Sequence, residues 1–153
     1  MKPIQKYFSL FGTLLGLFLP LLLGLIAGFN EKSFSRYYFT DAKIVFIIAL
    51  TLISFSFVTL NKKWIIPAIS LLTLTYFNCT DFALIHNLSA FVFFTHSTYL
   101  MITDKRFSWL GKLILFLLPL LIFSIYYFEL VSVLIITIFH MLYLKLIFKD
   151  EKL

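Results

Sequence analysis

Charge is scarce in this sequence. Only 13% of its 153 residues are Asp, Glu, Lys or Arg, whereas 61% are hydrophobic. Soluble domains average about 25% charged and about 45–50% apolar residues, and a soluble domain of this length has too little interior to bury so many apolar side chains. The composition therefore excludes an ordinary soluble protein and predicts lipid as the solvent for most of a single domain.

Cysteine and the common catalytic motifs are also scarce. Cys79 is the one cysteine, which excludes an intrachain disulfide and a thiolate metal cluster. The sequence has no H-E-x-x-H, no G-x-S-x-G and no glycine-rich phosphate loop. His86 and His96 would lie about 15 Å apart along one helix, too far to share a metal ion. We therefore predict no cofactor and no bound metal.

The net charge of +6 raises the alternative of nucleic-acid binding. The Lys and Arg residues, however, form no continuous basic face and stand in short clusters between apolar runs. Such clusters are typical of topology signals and of attraction to anionic lipid headgroups. We expect membrane lipids, and no nucleic acid, as partners.

Apolar sequence of membrane length is abundant. It predicts an all-α integral membrane bundle of six transmembrane helices, in one domain covering residues 1–153. The predicted spans cover residues 8–29, 42–60, 64–78, 82–103, 109–128 and 130–148. The last two spans share an apolar run over residues 111–148, which as one helix would be about 57 Å long against a hydrocarbon core of about 30 Å. Glu129 is the internal acid of that run, so we place an interfacial hairpin there.

Six spans put both termini on one side of the membrane. That side would carry ten basic residues: Lys2, Lys6, Lys62, Lys63, Lys105, Arg106, Lys112, Lys145, Lys149 and Lys152. The other side would carry three: Lys32, Arg36 and Lys43. Because positive residues favour the cytoplasm, we predict a multi-pass protein of the bacterial cytoplasmic membrane with both ends inside.

The fourth predicted span carries most of the polar groups within apolar sequence. At about 100° per residue, His86, Ser89, Phe93, His96 and Ser97 share an arc of about 100°. Polar groups in a span normally face the bundle interior or a wet cavity, so this face should point inward. Leu84, Leu88, Phe91, Val92 and Tyr99 should face lipid or neighbouring helices. His96 and Ser97, together with His140 of the sixth span, are candidate polar groups near the midplane.

A candidate pocket follows on the outer side, where this topology brings the loop 33–40, the turn 78–81 and Glu129 together. Its predicted members are Arg36, Tyr37, Tyr38, Asp81, His86, Asn87, Ser89 and Glu129. An arginine beside a carboxylate at a low-dielectric boundary can form a bidentate pair. We therefore predict that Arg36 pairs with Asp81 or Glu129, with Tyr37 or Tyr38 beside His86. The alternative is that Arg36 points into water.

Two small-residue pairs lie on the first predicted span, Gly12 with Gly16 and Gly24 with Gly28. Small residues four apart allow another backbone to approach closely. Packing against helices of the same chain is the favoured interpretation. A homo-oligomer or a membrane-protein partner through either pair is the alternative.

Four stretches carry a resemblance to known proteins. They are FGTLL at residues 11–15, residues 22–30 ending in GLIAGFN, S-x-S-x-Y-Y-F-T at residues 33–40, and H-x-x-S-A-x-x-F-F from His86. The chain resembles an uncharacterised family of small bacterial multi-span proteins, a domain of unknown function. More loosely, the His-Asn start of the fourth span is similar to DRAM-like six-span proteins. The resemblance implies a six-helix membrane protein, marks loop 33–40 and His86, and supplies no reaction.

Two classes of function fit these residues. The first is a non-enzymatic membrane protein that binds a lipid or small amphiphile through the outer polar pocket, or that serves as a partner subunit. The second is a membrane-embedded hydrolase or transferase acting on lipid through His86 and Asp81, with or without zinc. Ceramidase-like zinc hydrolases rank low, because this chain has one span too few and lacks their His-x-x-x-His near the C-terminus.

Overall fold

The structure, a computed structural model, describes residues 3–29 and 31–150, with side chains as far as residue 148. Within these ranges the chain is all-helical, without a strand. The α-helices are α1 (Pro3–Ala27), α2 (Lys43–Leu60), α3 (Ile65–Tyr76), α4 (Ala83–Thr103), α5 (Ser108–Phe116), α6 (Leu120–Phe123) and α7 (Ile125–Asp150). Two 3-10 segments, Phe34–Phe39 and Lys62–Trp64, join them. The predicted all-α class is confirmed.

Three of these helices, α1, α2 and α7, are long and apolar enough to cross a membrane. The predicted count was six. Helix α4 is about 32 Å long at 1.5 Å per residue, which is long enough to cross a membrane. His86, Asn87 and His96 make it more polar than α1, α2 and α7. Helix α3 has 12 residues, and α5 and α6 form a shorter apolar stretch over Ser108–Phe123. Polarity and helix breaks thus separate these segments from the other three.

The predicted hairpin at Glu129 is wrong. Helix α5 ends at Phe116, and Pro119, which has no N–H to continue a helix, precedes the four-residue α6. The chain then turns extended at Ser124 (φ −165°, ψ 116°), and α7 runs without a break from Ile125. Glu129 therefore lies inside the second turn of α7. The sequence argument failed because it placed that carboxylate at the membrane interface, whereas in the fold the carboxylate accepts the backbone N–H of Phe34.

Helix α1 packs against α2 and α7. A Cβ on Gly12 would overlap the side chain of Ser56 in α2, and a Cβ on Gly16 would lie 3.0 Å from Thr137 Oγ1 in α7. Next to this contact, the hydroxyls of Ser9 and Thr59 are 2.8 Å apart. Gly12 and Gly16 therefore serve close packing within the chain, as the favoured interpretation expected.

The second glycine pair has a different role. A Cβ on Gly24 would overlap the ring of Phe29. Gly28 adopts φ +87° directly after α1, and its N–H donates to Gly24 O at 2.8 Å. This is a left-handed helix ending that favours glycine. The pair therefore ends α1 and turns the chain toward the Phe34–Phe39 segment.

The remaining helices close the bundle. Helix α3 packs against α2 and α4, α5 packs against α4 and α7, and α6 against α7. The Ser54 hydroxyl of α2 donates to the carbonyl of Ala68 in α3. An interhelical hydrogen bond of this kind satisfies polar groups that have no water partner in lipid.

The bundle has two distinct ends. The loop end comprises the Phe34–Phe39 segment, residues 77–82 and the first two turns of α7, joined by a hydrogen bond from Phe34 N to Glu129 Oε2. The basic end comprises residues 61–64, residues 104–107 and the part of α7 around Tyr143, where Asn61 Nδ2 lies 3.4 Å from the Tyr143 hydroxyl.

Candidate functional site

The Phe34–Phe39 segment is held firmly on the loop end. Tyr37 is fully buried, and its hydroxyl donates to Gly28 O at 2.8 Å. The ring of Phe34 packs on Tyr37 and on Phe46 of α2, with centroids 5.8 and 6.0 Å apart. Burial is the main reason why the pKa of Tyr37 lies above its ordinary value. These two aromatic residues fix the orientation of Ser35 between them.

Ser35 meets the histidine of α4. His86 is 4% exposed, with Nε2 2.9 Å from Ser35 Oγ and Nδ1 2.7 Å from the carbonyl oxygen of Phe77. Because a carbonyl only accepts, Nδ1 must carry a proton. In a neutral ring, Nε2 then accepts from the Ser35 hydroxyl. This tautomer follows from the hydrogen-bond partners rather than from observed hydrogens.

Glu129 holds the same segment from the opposite helix. The half-buried carboxylate accepts the Phe34 N–H at 2.7 Å. A carboxylate in an apolar bundle is costly unless such donors satisfy it. We define Ser35, His86 and Glu129 as the loop-end cluster, since α4 and α7 each contribute one side chain that grips Ser35 or its neighbour.

A cavity of about 50 Å³ adjoins the loop-end cluster. Ser35, Thr137 and Glu129 are its polar lining. The rest of its wall is apolar: Phe34, Phe46, Leu50, Ile53, Phe57, Leu71, Leu74, Ala90, Phe93, Phe94, Val133 and Ile136. Since a single water needs at least about 10–15 Å³ of such volume, the cavity has room for a few methyl or methylene groups.

The predicted pairing of Arg36 is wrong. Arg36 is exposed, and within the described part of the chain it forms no ion pair with Asp81 or Glu129. Tyr37 packs on Phe34, and Tyr38 lies under the Lys43 ammonium at 4.3 Å. We predicted a tyrosine beside His86, but Ser35 lies there instead. The neutral hydroxyl of Ser35 costs less to bury than the guanidinium of Arg36 would.

The other predicted members are not among the hydrogen-bond partners described for His86. Asp81 is exposed, and its carboxylate accepts from Asn78 Nδ2 at 2.9 Å. Asn78 Oδ1 accepts the N–H of Thr80 and of Asp81, so Asn78 closes the turn before α4. Asn87 is exposed and Ser89 half-buried. Within the ranges described above, no three His, Cys, Asp or Glu side chains lie close enough to bind a metal.

The three midplane residues are dispersed. His140 is fully buried, stacked on Phe57 with ring centroids 3.9 Å apart, and its Nδ1 donates to Ile136 O at 2.8 Å. His96 is half-buried beside Tyr99. Ser97 is buried, and its hydroxyl has no hydrogen-bond partner among the described residues. None of the contacts described for these residues links them to the loop-end cluster.

Ser35 is the functional candidate that sequence reasoning missed. The loop 33–40 was singled out as a whole, but its charged Arg36 drew the prediction. The signal lies in the 3-10 geometry: residues three apart share one side of the segment, so the exposed Arg36 and Phe39 point away from the bundle. The Phe77 carbonyl, being backbone, has no sequence signal.

Fold and site together define an all-helical, strongly apolar chain with three helices able to cross a membrane and a serine–histidine hydrogen bond at one end. Comparison of the chain with protein-family models, curated proteins and solved structures finds no match. The function must therefore be argued from the geometry of the site.

Proposed function

We propose that the chain is a multi-pass protein of a bacterial cytoplasmic membrane, with six spans and both termini inside. The charge difference between the two ends supports this topology. Lys62, Lys63, Lys105 and Arg106 lie at the basic end, and Lys32, Arg36 and Lys43 lie close to the loop end. Reporter fusions at Lys2 and after Lys152 should read cytoplasmic, and one at Ser35 external. An external C-terminus would contradict six spans.

Within that membrane, the function we propose is non-enzymatic binding of a lipid or small amphiphile at the loop end. The observation that carries this proposal is the apolar cavity beside the loop-end cluster. Ligand sites typically combine an apolar wall with a few convergent polar groups. The cavity would take the end of an apolar chain, and Ser35, Glu129 and Thr137 are the polar residues of its lining.

The test is photo-cross-linking with a phospholipid that carries a diazirine on its acyl chain. Ala90→Leu adds volume to the cavity wall and should reduce labelling of the peptides that line it. Ala83→Leu makes the same change at an exposed position of the same helix, and should leave labelling unchanged. Equal labelling of both variants and the wild-type protein would reject binding in this cavity.

A partner-subunit role is the other non-enzymatic proposal. Its contact would need a surface other than the Gly12/Gly16 face, because Ser56 and Thr137 of the same chain occupy that face. Among the described residues, no atom lies within 4 Å of a Cβ added at Gly28, so they leave the end of α1 open to a neighbour. Cross-linking from a cysteine placed at residue 26, which is exposed in the last turn of α1, tests this surface without straining the left-handed backbone of Gly28.

One observation favours the enzymatic alternative, now through Ser35 rather than Asp81. Ser35 Oγ lies 2.9 Å from His86 Nε2, and the Phe77 carbonyl orients the ring. A nucleophile beside a base that is itself oriented is the arrangement used in covalent catalysis. Ser35 Oγ would add to an ester carbonyl while His86 takes its proton. His86 would then protonate the departing alcohol, leaving the acyl group on Ser35 for hydrolysis or transfer.

A fluorophosphonate probe tests this alternative, because it forms a stable adduct with activated serines. Mass spectrometry should locate the adduct on Ser35, and Ser35→Ala should abolish it. Ser33→Ala is the matched control, since Ser33 makes no side-chain capping hydrogen bond in the same segment. Absence of an adduct on Ser35 in the folded wild-type protein would reject acyl transfer through this serine.

A further inference from the structure

The basic end contains a second pocket that the proposed function does not use. Its volume is about 310 Å³, and it lies between the end of α4, residues 61–64 and α7. Trp64, which is 2% exposed, and Phe139 contribute apolar wall. Its polar wall consists of Asn61, Lys63, Thr103, Asp104, Lys105, Arg106 and Tyr143. The pocket is therefore large enough for a tetrahedral anion and is lined with charge.

The charge of this pocket is positive. Lys63, Lys105 and Arg106 outnumber the single carboxylate of Asp104 by two. Arg106 grips Asp104 in a bidentate pair, with Nε–Oδ1 at 3.0 Å and Nη2–Oδ2 at 2.8 Å. This hydrogen-bonded pair holds the pKa of Asp104 below its ordinary value. The carboxylate is thus ionised and already satisfied, whereas the ammonium groups of Lys63 and Lys105 are exposed.

Neutral groups fix the shape of the wall. Asn61 Oδ1 accepts the Lys63 N–H at 3.0 Å, and Asn61 Nδ2 lies 3.4 Å from the Tyr143 hydroxyl. The Arg106 guanidinium carbon is 5.3 Å from the Tyr143 ring centroid, at the distance of a cation–π contact. Because its oxygen accepts from Asn61, the Tyr143 hydroxyl retains its own proton for a ligand.

We propose that this pocket binds a phosphate group, supplied either by the headgroup of an anionic phospholipid or by a soluble phosphate ester. Two ammonium groups and a phenol match the several acceptor oxygens of a phosphate. Arg106, oriented by Asp104, adds charge from the side. The apolar wall of Trp64 and Phe139 suits the glycerol and first methylenes of a lipid. The lipid source rests on the topology proposed above, since basic pockets between helices on the cytoplasmic side attract such headgroups.

Lysines at a cytoplasmic membrane face can also act only as topology signals. Two lysines outside the pocket serve as a control that separates phosphate binding from a topology signal. Lys62 and Lys112 belong to the same end by sequence and are exposed, but neither lines this pocket. Removing two charges from the pocket or two from outside it changes the net charge equally, so a difference in binding reports the pocket.

The experiment measures binding of fluorescent phosphatidylglycerol to the purified chain in a neutral detergent. Both double variants and the wild type are measured at the same ionic strength, about 0.15 M, because salt screens exposed charges. Each lysine near an anionic lipid contributes roughly five-fold to binding. The Lys63→Gln/Lys105→Gln variant should therefore bind about 30-fold more weakly than wild type. The Lys62→Gln/Lys112→Gln variant should bind within about two-fold of it.

Competition separates the two sources of phosphate. Displacement by inorganic phosphate and glycerol phosphate, but not by chloride at equal ionic strength, assigns the pocket to soluble phosphate esters. Displacement by unlabelled phosphatidylglycerol alone, with phosphatidylcholine inert, assigns it to the lipid. Equal losses in the two double variants, or no preference for phosphatidylglycerol over phosphatidylcholine together with no effect of soluble phosphate, would overturn the proposal.

Discussion

Replacing Ser35 with alanine should loosen the Phe34–Phe39 segment from the bundle. The substitution removes the hydroxyl that donates to His86 Nε2 at 2.9 Å. It leaves Nδ1 on the Phe77 carbonyl, at 2.7 Å, so the ring cannot turn to find a new partner without losing that bond. His86 would then carry one unpaired acceptor at a site that is 4% exposed.

The magnitude follows from the burial of both partners. A typical hydrogen bond contributes about 0.5–1.5 kcal/mol net, and an unsatisfied buried group costs about 1–3 kcal/mol. Ser35 itself is half-buried, so water can partly replace its hydroxyl. We therefore expect Ser35→Ala to lower the free energy of unfolding by about 1–2 kcal/mol. The amides of the segment should exchange with deuterium faster by about 5- to 30-fold, which is the same free energy.

The assay is unfolding in detergent combined with hydrogen exchange, for Ser35→Ala, His86→Leu and the double variant. The cycle should give a coupling of about 1 kcal/mol between the two side chains. Ser33→Ala is the control, since it removes a hydroxyl of the same segment that caps nothing. Equal effects of Ser35→Ala and Ser33→Ala, with zero coupling to His86, would refute the argument.

Three further predictions concern other contacts. Glu129→Ala should lower the free energy of unfolding by about 1–3 kcal/mol, because it leaves the Phe34 N–H unpaired. Glu129→Gln keeps an acceptor and should lower it less. Hydrogen exchange at the Phe34 amide measures both effects. Gly12→Ala should destabilise by about 1–3 kcal/mol through overlap with Ser56, and Gly16→Ala by less, in thermal unfolding. Asp104 has a lowered pKa, so its stabilisation is present above its unfolded pKa and lost as pH falls through the folded value. With Arg106 54% exposed, Asp104→Asn should cost at most about 1 kcal/mol at pH 7, and unfolding at acid pH should show no difference from wild type.

Helical periodicity predicted the orientation of α4 from sequence alone. Of the five residues placed on the inward arc, His86, Phe93 and Ser97 are buried. Ser89 and His96 are half-buried, whereas Leu84 and Phe91 on the opposite side are exposed. The argument worked because 100° per residue is a local property of the helix and polar groups in lipid are expensive. It required no knowledge of which helix faces which.

The contacts within the site required that knowledge. His86 and Glu129 were predicted to belong to the site, but the residues that they bind were not. Glu129 was placed at an interfacial hairpin and offered as a partner of Arg36, because a lone carboxylate in an apolar run has no local partner. Its partner is a backbone N–H of Phe34, 95 residues away. Arg36 was assigned to a carboxylate by charge, but a 3-10 turn of the segment directs Ser35 to His86 instead. Neither a backbone hydrogen-bond donor nor the direction of each side chain in a short 3-10 segment can be predicted from composition or residue spacing.

The hydrogen bond between Ser35 and His86 fits two roles. It can fasten the segment over the cavity, or it can activate the serine. Loss of stability in Ser35→Ala fits both. His86→Gln separates them, because the glutamine amide reaches the position of Nε2 and can still bond the Ser35 oxygen, but is no base. If the bond is a fastener, His86→Gln should retain most of the protection of the segment and leave any Ser35 reactivity unchanged. If His86 is a base, the same variant should stay folded and lose the fluorophosphonate adduct. Stability and labelling measured on this one variant therefore assign the bond to structure or to chemistry.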